Sequence, residues 1–418
     1  MENVQIKQKE MMEKGQAQAS QQVELNQKLE TVKGKLASKT EWMNWLAKAN
    51  QEKTNSGKAL VDWKKIGASE GFAATPDSDL CLEIEENADM AAHTSFRAGG
   101  RAALLITVGD ARTLGYVLGV LSAEEIPHIF LGNGSNVLFR DEGYAGAVIK
   151  MRITPQSPSV TAPLRAGETL ASGSLGTSPL GEARDMCCSG GLSIAAESAQ
   201  HAGCTAEPTA SDTVIVTAQC GIGLGSLARR LAEESLTGFE FASGIPGTLG
   251  GALFMNAGAY GGEMKDVVTS VTAISADGSQ LRTFTNEEMQ FSYRHSTLQE
   301  NGFIALSATL ALAKGNREEI LEQMRELATK RNTKQPVQYP SAGSTFKRPE
   351  GYFAGRLIED AGLKGVSVGG AEVSTLHAGF VINKGGATAT DILELIRLIQ
   401  NTVYDKFGVS LEPEVRII

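Results

Sequence analysis

Two hydrophobic periods alternate along this chain, and the places where one gives way to the other mark its elements. Ala103 to Val108 is a β-like run. After Asp110 as N-cap, the apolar set Leu114, Val117, Leu118 and Leu121 recurs at i, i+3, i+4 and i+7, which is one face of a helix. Ile129 to Leu131 is a second strand, and it runs into Gly132-Asn133-Gly134-Ser135-Asn136. A glycine-rich turn is therefore predicted at the carboxyl end of a strand in a βαβ-like unit. Farther on, Thr213 to Thr217, Val267 to Ile274 and Ile304 to Leu312 are strand-like, and Leu227 and Leu231 share a helix face. Ile320, Met324 and Leu327 predict a helix over Asn316 to Asn332, stopped by Pro336. The final unit predicts a helix over Tyr352 to Ala361 closed by Gly362, a strand over Gly379 to Asn383, and a helix over Asp391 to Phe407 ended by Gly408.

Two segments break this α/β texture. Residues 1–65 have no Pro, Cys or Arg and carry twelve Lys against eight acids, a local charge of +4. Leu25, Leu29, Val32 and Leu36 allow a few amphipathic turns, but Gly34 interrupts them, so the pattern predicts a mobile or loosely docked arm. Residues 155–212 are rich in Ser, Thr, Ala and Gly with little periodicity, which predicts an inserted loop.

Composition narrows the function classes. At 418 residues the chain is long enough for two to three domains of roughly 150 residues. A net charge of −9 argues against a broad nucleic-acid footprint while leaving room for a local basic pocket. The five Cys show no CxxC spacing or paired framework, and the five His never adopt metal-ligand spacing, so no metal is expected. No apolar run approaches the ~18 residues of a membrane span, and the start lacks a signal-peptide core. The expectation is a cytoplasmic protein. Gly is 46 of 418, above the usual ~7%, which turns attention to the glycine clusters.

Gly132 to Asn136 can offer successive backbone N–H groups to a pyrophosphate, although alone it fits a bare turn as well. Gly221-Ile222-Gly223-Leu224-Gly225 imitates a dinucleotide fingerprint but lacks its third spaced glycine. Gly244-Ile245-Pro246-Gly247-Thr248-Leu249-Gly250-Gly251, followed by Asn256-Ala257-Gly258, is more demanding. A surface loop has no need of apolar residues among so many glycines, whereas a wall against a flat cofactor does. Ser344 lies between Gly343 and the basic pair Lys347 and Arg348, which suits an anionic substrate near a proton-passing hydroxyl, or else a Ser-rich turn. Arg294 and Glu414 offer a cation and a carboxylate, although a lone Arg or Glu is more often a solvated or paired surface charge.

In order along the chain, His93 to Gly100, Leu131 to Leu138, Phe241 to Gly262, Phe291 to Ser296, Gly343 to Pro349, His377 to Gly385 and Leu411 to Ile418 resemble the UDP-N-acetylenolpyruvoylglucosamine reductase family. The resemblance covers most of residues 85–418 apart from the segment at 155–212. It implies an α+β protein with a two-part FAD-binding domain of the vanillyl-alcohol-oxidase (PCMH) type and a C-terminal α/β substrate domain. On that pattern residues 1–80 are an extension, 81–151 and 152–335 the two FAD subdomains, and 336–418 the substrate-binding domain, whose tail returns to the active site.

The resemblance further implies FAD and NADPH as cofactors and a nucleotide-sugar enolpyruvyl ether as substrate, in peptidoglycan precursor synthesis. It places the FAD pyrophosphate on Gly132, Asn133, Gly134, Ser135 and Asn136. The flavin falls on Gly244, Ile245, Pro246, Gly247, Gly250, Gly251, Asn256, Ala257 and Gly258, the proton donor on Ser344, and the active-site Arg and Glu on Arg294 and Glu414. Lys347 and Arg348 are expected to bind substrate. The chain looks like the shorter variety of the family, which lacks an extra substrate-covering Tyr segment. A His-tethered flavin oxidase is disfavoured because Arg97-Ala98-Gly99-Gly100 is followed by Arg101. A non-catalytic scaffold is disfavoured by retention of Ser344, Arg294 and Glu414.

Overall fold

The computed structural model describes residues 2–38, 40–42, 44, 82–151, 159–160, 193–195 and 213–418. Its first element extends the few amphipathic turns expected of the arm: α1 (Glu2–Ala37) is one helix that continues through Gly34. A glycine inside a helix costs about 1 kcal/mol relative to alanine. Burial of Leu29, Val32 and Leu36, with Trp42 just beyond, offsets that cost. These side chains share a core with Leu114, Tyr116, Val117, Leu118 and Leu121 of α2 (Ala111–Ala123). Trp42 meets Tyr116 edge to face at 5.2 Å, and the Tyr116 hydroxyl donates to the Lys35 carbonyl at 2.7 Å. Lys28, Lys33 and Lys35 reach Glu125, Glu86 and Glu124 across the seam. Such exposed pairs add little each, so the apolar seam carries the docking.

Asp110 caps α2 as the sequence predicts, accepting from the Arg112 and Thr113 amides. The helix covers one face of a four-stranded sheet ordered β1 (Leu82–Asp89), β2 (Arg101–Val108), β5 (Tyr144–Met151), β3 (His128–Phe130). The pairs β2–β5 and β3–β5 are parallel, with Leu105 and Ile129 both registered on Val148. Leu131, Phe139 and Met90 close the opposite face, and for that reason β5 reads as a continuous apolar run. Because β3 ends against β5, the turn Gly132–Asn136 emerges at the carboxyl edge of the parallel strands, where ligands of such sheets bind.

The second layer is a seven-stranded sheet. Its core strands β8 (Thr213–Gln219), β9 (Val268–Ile274) and β11 (Ile304–Lys314) pair antiparallel, with β10 (Leu281–Thr285) at one edge. At the other edge lie β6 (Ser159–Val160) and β7 (Ser193–Ala195), the latter pairing Ile194 with Val216. Part of the segment expected to be an inserted loop therefore extends the sheet; the rest, including Cys187 and Cys188, lies outside the described residues. Helices α3 (Leu224–Glu233) and α4 (Leu249–Met255) pack on this sheet, and α5 (Arg317–Lys334) leads to the last unit.

That unit packs α6 (Ala354–Asp360) and α7 (Ala389–Phe407) on the strands β12 (Ser367–Val368), β13 (Ala371–Val373) and β14 (Val381–Asn383). Its core also takes in Phe96, Ala98 and Leu138 of the first layer. The C-terminal tail joins the two: β15 (Arg416–Ile417) pairs in parallel with β4 (Val137–Leu138), directly after the glycine turn. Among the described residues no helix is long and apolar enough to cross a membrane.

All three tryptophans, Trp42, Trp45 and Trp63, lie in the N-terminal extension, so indole emission reports on the arm. Leu36→Ala is expected to cost about 2–5 kcal/mol of docking energy, red-shift that emission and expose the arm to protease. Unchanged emission and cleavage would contradict the docked helix.

Candidate active site

The tail decides where the chemistry-bearing residues meet. Phe346 bridges Pro413, the Glu414 amide donates to the Thr345 carbonyl at 2.8 Å, and the Lys347 amide donates to the Glu412 carbonyl at 2.8 Å. On its other side the tail is held by the glycine turn, because Asn136 Nδ2 donates to the Glu414 carbonyl at 3.1 Å and the Arg416 amide to the Asn136 carbonyl at 3.0 Å. One extended strand thus ties the Ser344 segment to the turn that follows β3.

Arg294 approaches from the second layer. It sits at φ +57°, a left-handed conformation that costs a non-glycine residue of order 1–3 kcal/mol and is held by its surroundings. Ser296 Oγ donates to the Phe254 carbonyl at 2.9 Å, and Gln299 Nε2 donates to the Arg294 carbonyl at 3.0 Å. Asn256 ends α4 at φ +42°; its amide donates to the Ser292 carbonyl at 2.9 Å and its oxygen accepts from the Lys265 amide at 3.0 Å. Asn256 therefore braces the Arg294 loop against the glycine segment.

Arg294 Nε reaches Glu414 Oε1 at 2.7 Å, with only 23% and 13% of the two side chains exposed. Burial pushes the Glu414 carboxyl above the usual carboxylate range, and the attraction of Arg294 and Lys347 only partly opposes it. The pair forms part of the wall of a cavity of about 340 Å³ shared with Ser344, Arg348, Arg356 and His377. Ser344 is exposed there, and among the described residues its hydroxyl has no partner.

Of the basic pair, Arg348 faces the cavity, with its guanidinium 3.9 Å from the Phe353 ring and its amide donating to the Tyr293 hydroxyl at 3.1 Å. Lys347 instead pairs with Glu412 at 2.6 Å and does not line the cavity. Sequence reasoning passed over Tyr293, Phe353, Arg356 and His377 as wall residues. His377 Nδ1 accepts from the Gly379 amide at 3.1 Å, and burial holds its imidazole below the usual pKa, so the neutral ring carries its proton on Nε2. The sequence marks His377 only as the start of one of the resembling motifs.

The glycines are of two kinds. Gly134 has φ +63°, and a Cβ there would lie 2.2 Å from the His93 carbonyl oxygen; one on Gly132 would lie 2.5 Å from Thr248 Oγ1. These close approaches hold the turn against its neighbours. At Gly247 and Gly251 a Cβ would meet nothing nearer than 3.6 and 3.5 Å, so packing within the chain does not require glycine there. Bare backbone at such positions suits a flat group laid directly on the main chain. Asn133 Nδ2 and the Pro246 carbonyl, 3.4 Å apart, bring the turn and this wall side by side. The residues present could hold FAD, the turn offering amides for its pyrophosphate and the wall a bare surface for its ring system.

A glycine turn at the edge of one sheet, a glycine wall on a second and a buried Arg–Glu pair at the cavity wall suit an FAD-binding oxidoreductase. The family models agree: residues 174–283 match the FAD binding domain and residues 335–418 the C-terminal domain of UDP-N-acetylenolpyruvoylglucosamine reductase. The first match begins inside the segment at 155–212.

The reductase of that name from Clostridioides difficile is 44% identical over 336 residues, which is 80% of this chain and 93% of that one. The one from Alkaliphilus oremlandii is 45% identical over 354 residues, or 85% and 98%. The crystal structure of the Thermus caldophilus reductase aligns with a TM-score of 0.58 at 31% identity, covering 80% of this chain and 98% of that one. The chain belongs to the UDP-N-acetylenolpyruvoylglucosamine reductase family and is an FAD-dependent oxidoreductase.

A carboxyl whose folded pKa is raised binds more protons folded than unfolded, so its contribution to stability is present at low pH and is lost as pH rises through the folded pKa. The Tm of Glu414→Gln minus that of wild type, whatever its value at low pH, is therefore expected to rise from about pH 4 to about pH 7. A difference that shrinks over that range would mean that Arg294 outweighs burial.

Proposed function

We propose that the chain reduces the enolpyruvyl ether of UDP-N-acetylglucosamine to UDP-N-acetylmuramate, with NADPH as electron source, in the cytoplasmic supply of peptidoglycan precursors. Residues 81–151 and 152–335 are the two parts of its FAD domain and 336–418 its substrate domain. The observation that carries this reading is the 2.7 Å Arg294–Glu414 contact on the wall of the cavity that Ser344 and Arg348 also line. Bound FAD would supply the two-electron chemistry, as the hydride carrier between NADPH and the substrate.

The chain's own residues manage charge and protons. When the terminal carbon of the enolpyruvyl group takes the hydride, the double-bond electrons move toward its carboxylate as an enolate. The Arg294 guanidinium meets that charge in a partly desolvated site. Glu414, whose carboxyl burial pushes above the usual range, can donate a hydrogen bond to the same carboxylate when it carries a proton. Ser344 gives its hydroxyl proton to the adjacent carbon and recovers one from solvent, which requires approach within about 3 Å because an unperturbed hydroxyl is a weak acid. Arg348 is placed for a phosphate oxygen of the nucleotide, its guanidinium oriented by Phe353.

Anaerobic stopped-flow separates these roles. Ser344→Ala is expected to keep bleaching of the flavin by NADPH and lose its reoxidation by the enolpyruvyl nucleotide; equal loss of both half-reactions would remove Ser344 from proton delivery. Arg348→Ala is expected to raise the KM for the nucleotide about 10- to 100-fold, the range of a charge-assisted hydrogen bond, with bleaching unchanged. An unchanged KM would take Arg348 out of substrate binding.

A further inference from the structure

Arg331 lies in the last turn of α5, outside the cavity described above. It is half-buried, and among the described residues its guanidinium has neither a hydrogen bond nor an ion pair. The basic residues around it differ: Lys330 pairs with Glu326 at 3.5 Å, and Arg325 pairs with Glu322. Burial draws the Arg331 pKa below the usual range, and Tyr260 acts against this. A desolvated cation with no anion beside it is costly, and natural structures pair such groups.

Its position says what kind of partner it awaits. The side chain runs along Gly244, the first residue of the glycine wall: a Cβ on Gly244 would stand 3.4 Å from Arg331 Cδ and 3.7 Å from Nη1. Gly244 therefore leaves room for the arginine stem to cross the wall. Two residues on, the Pro246 carbonyl faces Asn133 of the turn that follows β3. The unpaired guanidinium thus stands on the same loop that borders both the pyrophosphate turn and the flavin wall.

We propose that Arg331 is a cofactor-binding residue, the counter-charge of an anionic group on the bound FAD. The group is either the pyrophosphate or the ring system, which gains negative charge on reduction. This inference rests on the reading that Gly244–Gly251 line the flavin.

The test uses full-length apoprotein, titrated with oxidised FAD and with dithionite-reduced FAD, together with the midpoint potential of the reconstituted protein. Arg331→Gln is expected to weaken FAD binding about tenfold or more, and Arg331→Lys to restore part of the loss. Equal weakening in both redox states, with the potential unmoved, assigns the contact to the pyrophosphate. Weakening confined to the reduced state assigns it to the ring, and a tenfold difference between the states lowers the potential by about 30 mV. Unchanged affinity in both states overturns the proposal, as does a change limited to the KM for NADPH. Ser135→Ala, in the turn, is the control: if it weakens FAD binding while Arg331→Gln does not, this inference falls alone. If wild-type protein takes up no FAD, the reading beneath it falls too.

Discussion

A desolvated ion pair between two layers is the contact around which the rest of the molecule is arranged. Arg294 and Glu414 are 120 residues apart and each arrives on a segment with little regular structure. Removing one partner of such a pair typically costs about 3–5 kcal/mol, because the other is left buried and uncompensated. The loop of Arg294 is fixed by Asn256, Ser296 and Gln299, and the tail of Glu414 by backbone bonds to Thr345 and Asn136. The strain at Arg294 is held in place by this bracing, and it sets the guanidinium at the cavity wall.

The glycine-rich stretches serve the same end in two ways. Some glycines permit contact within the chain, as Gly134 does against His93 and Gly250 does against Cys220, where a Cβ would stand 3.1 Å away. Others, Gly247 and Gly251, leave backbone uncovered where the chain itself makes no such demand. An enzyme that handles electrons through a flat ring needs both, a rigid support and a bare surface. Arg331, stretched along Gly244, adds charge to that surface.

The N-terminal arm shows how tertiary burial overrides local preference. Its spacing of Leu29, Val32 and Leu36 was visible, yet the helix continues through Gly34 because three apolar side chains find a partner face on α2. Local sequence holds no information about that face, since its residues lie some 80 positions downstream. The segment at 155–212 makes the same point at the level of a sheet: β7 is recognisable only through its pairing with β8.

By itself the sequence determined the elements and the inventory of chemistry. Period-two and period-3.6 patterning, with Asp110 and Gly408 as punctuation, placed the strands and helices it marked to within a few residues, because those signals are local, while β1, β5 and α4 gave no such signal. The ordered motifs likewise carried the family and pointed to Ser344, Arg294 and Glu414. Tertiary structure alone decided that Glu414 meets Arg294, that Arg348 faces the cavity while Lys347 turns to Glu412, that Asn256 braces a loop, and that Arg331, without a partner among the described residues, stands at the glycine wall. Ionic partners and desolvation depend on which distant segments come within a few ångströms, and that is set by the packing of layers rather than by neighbours along the chain.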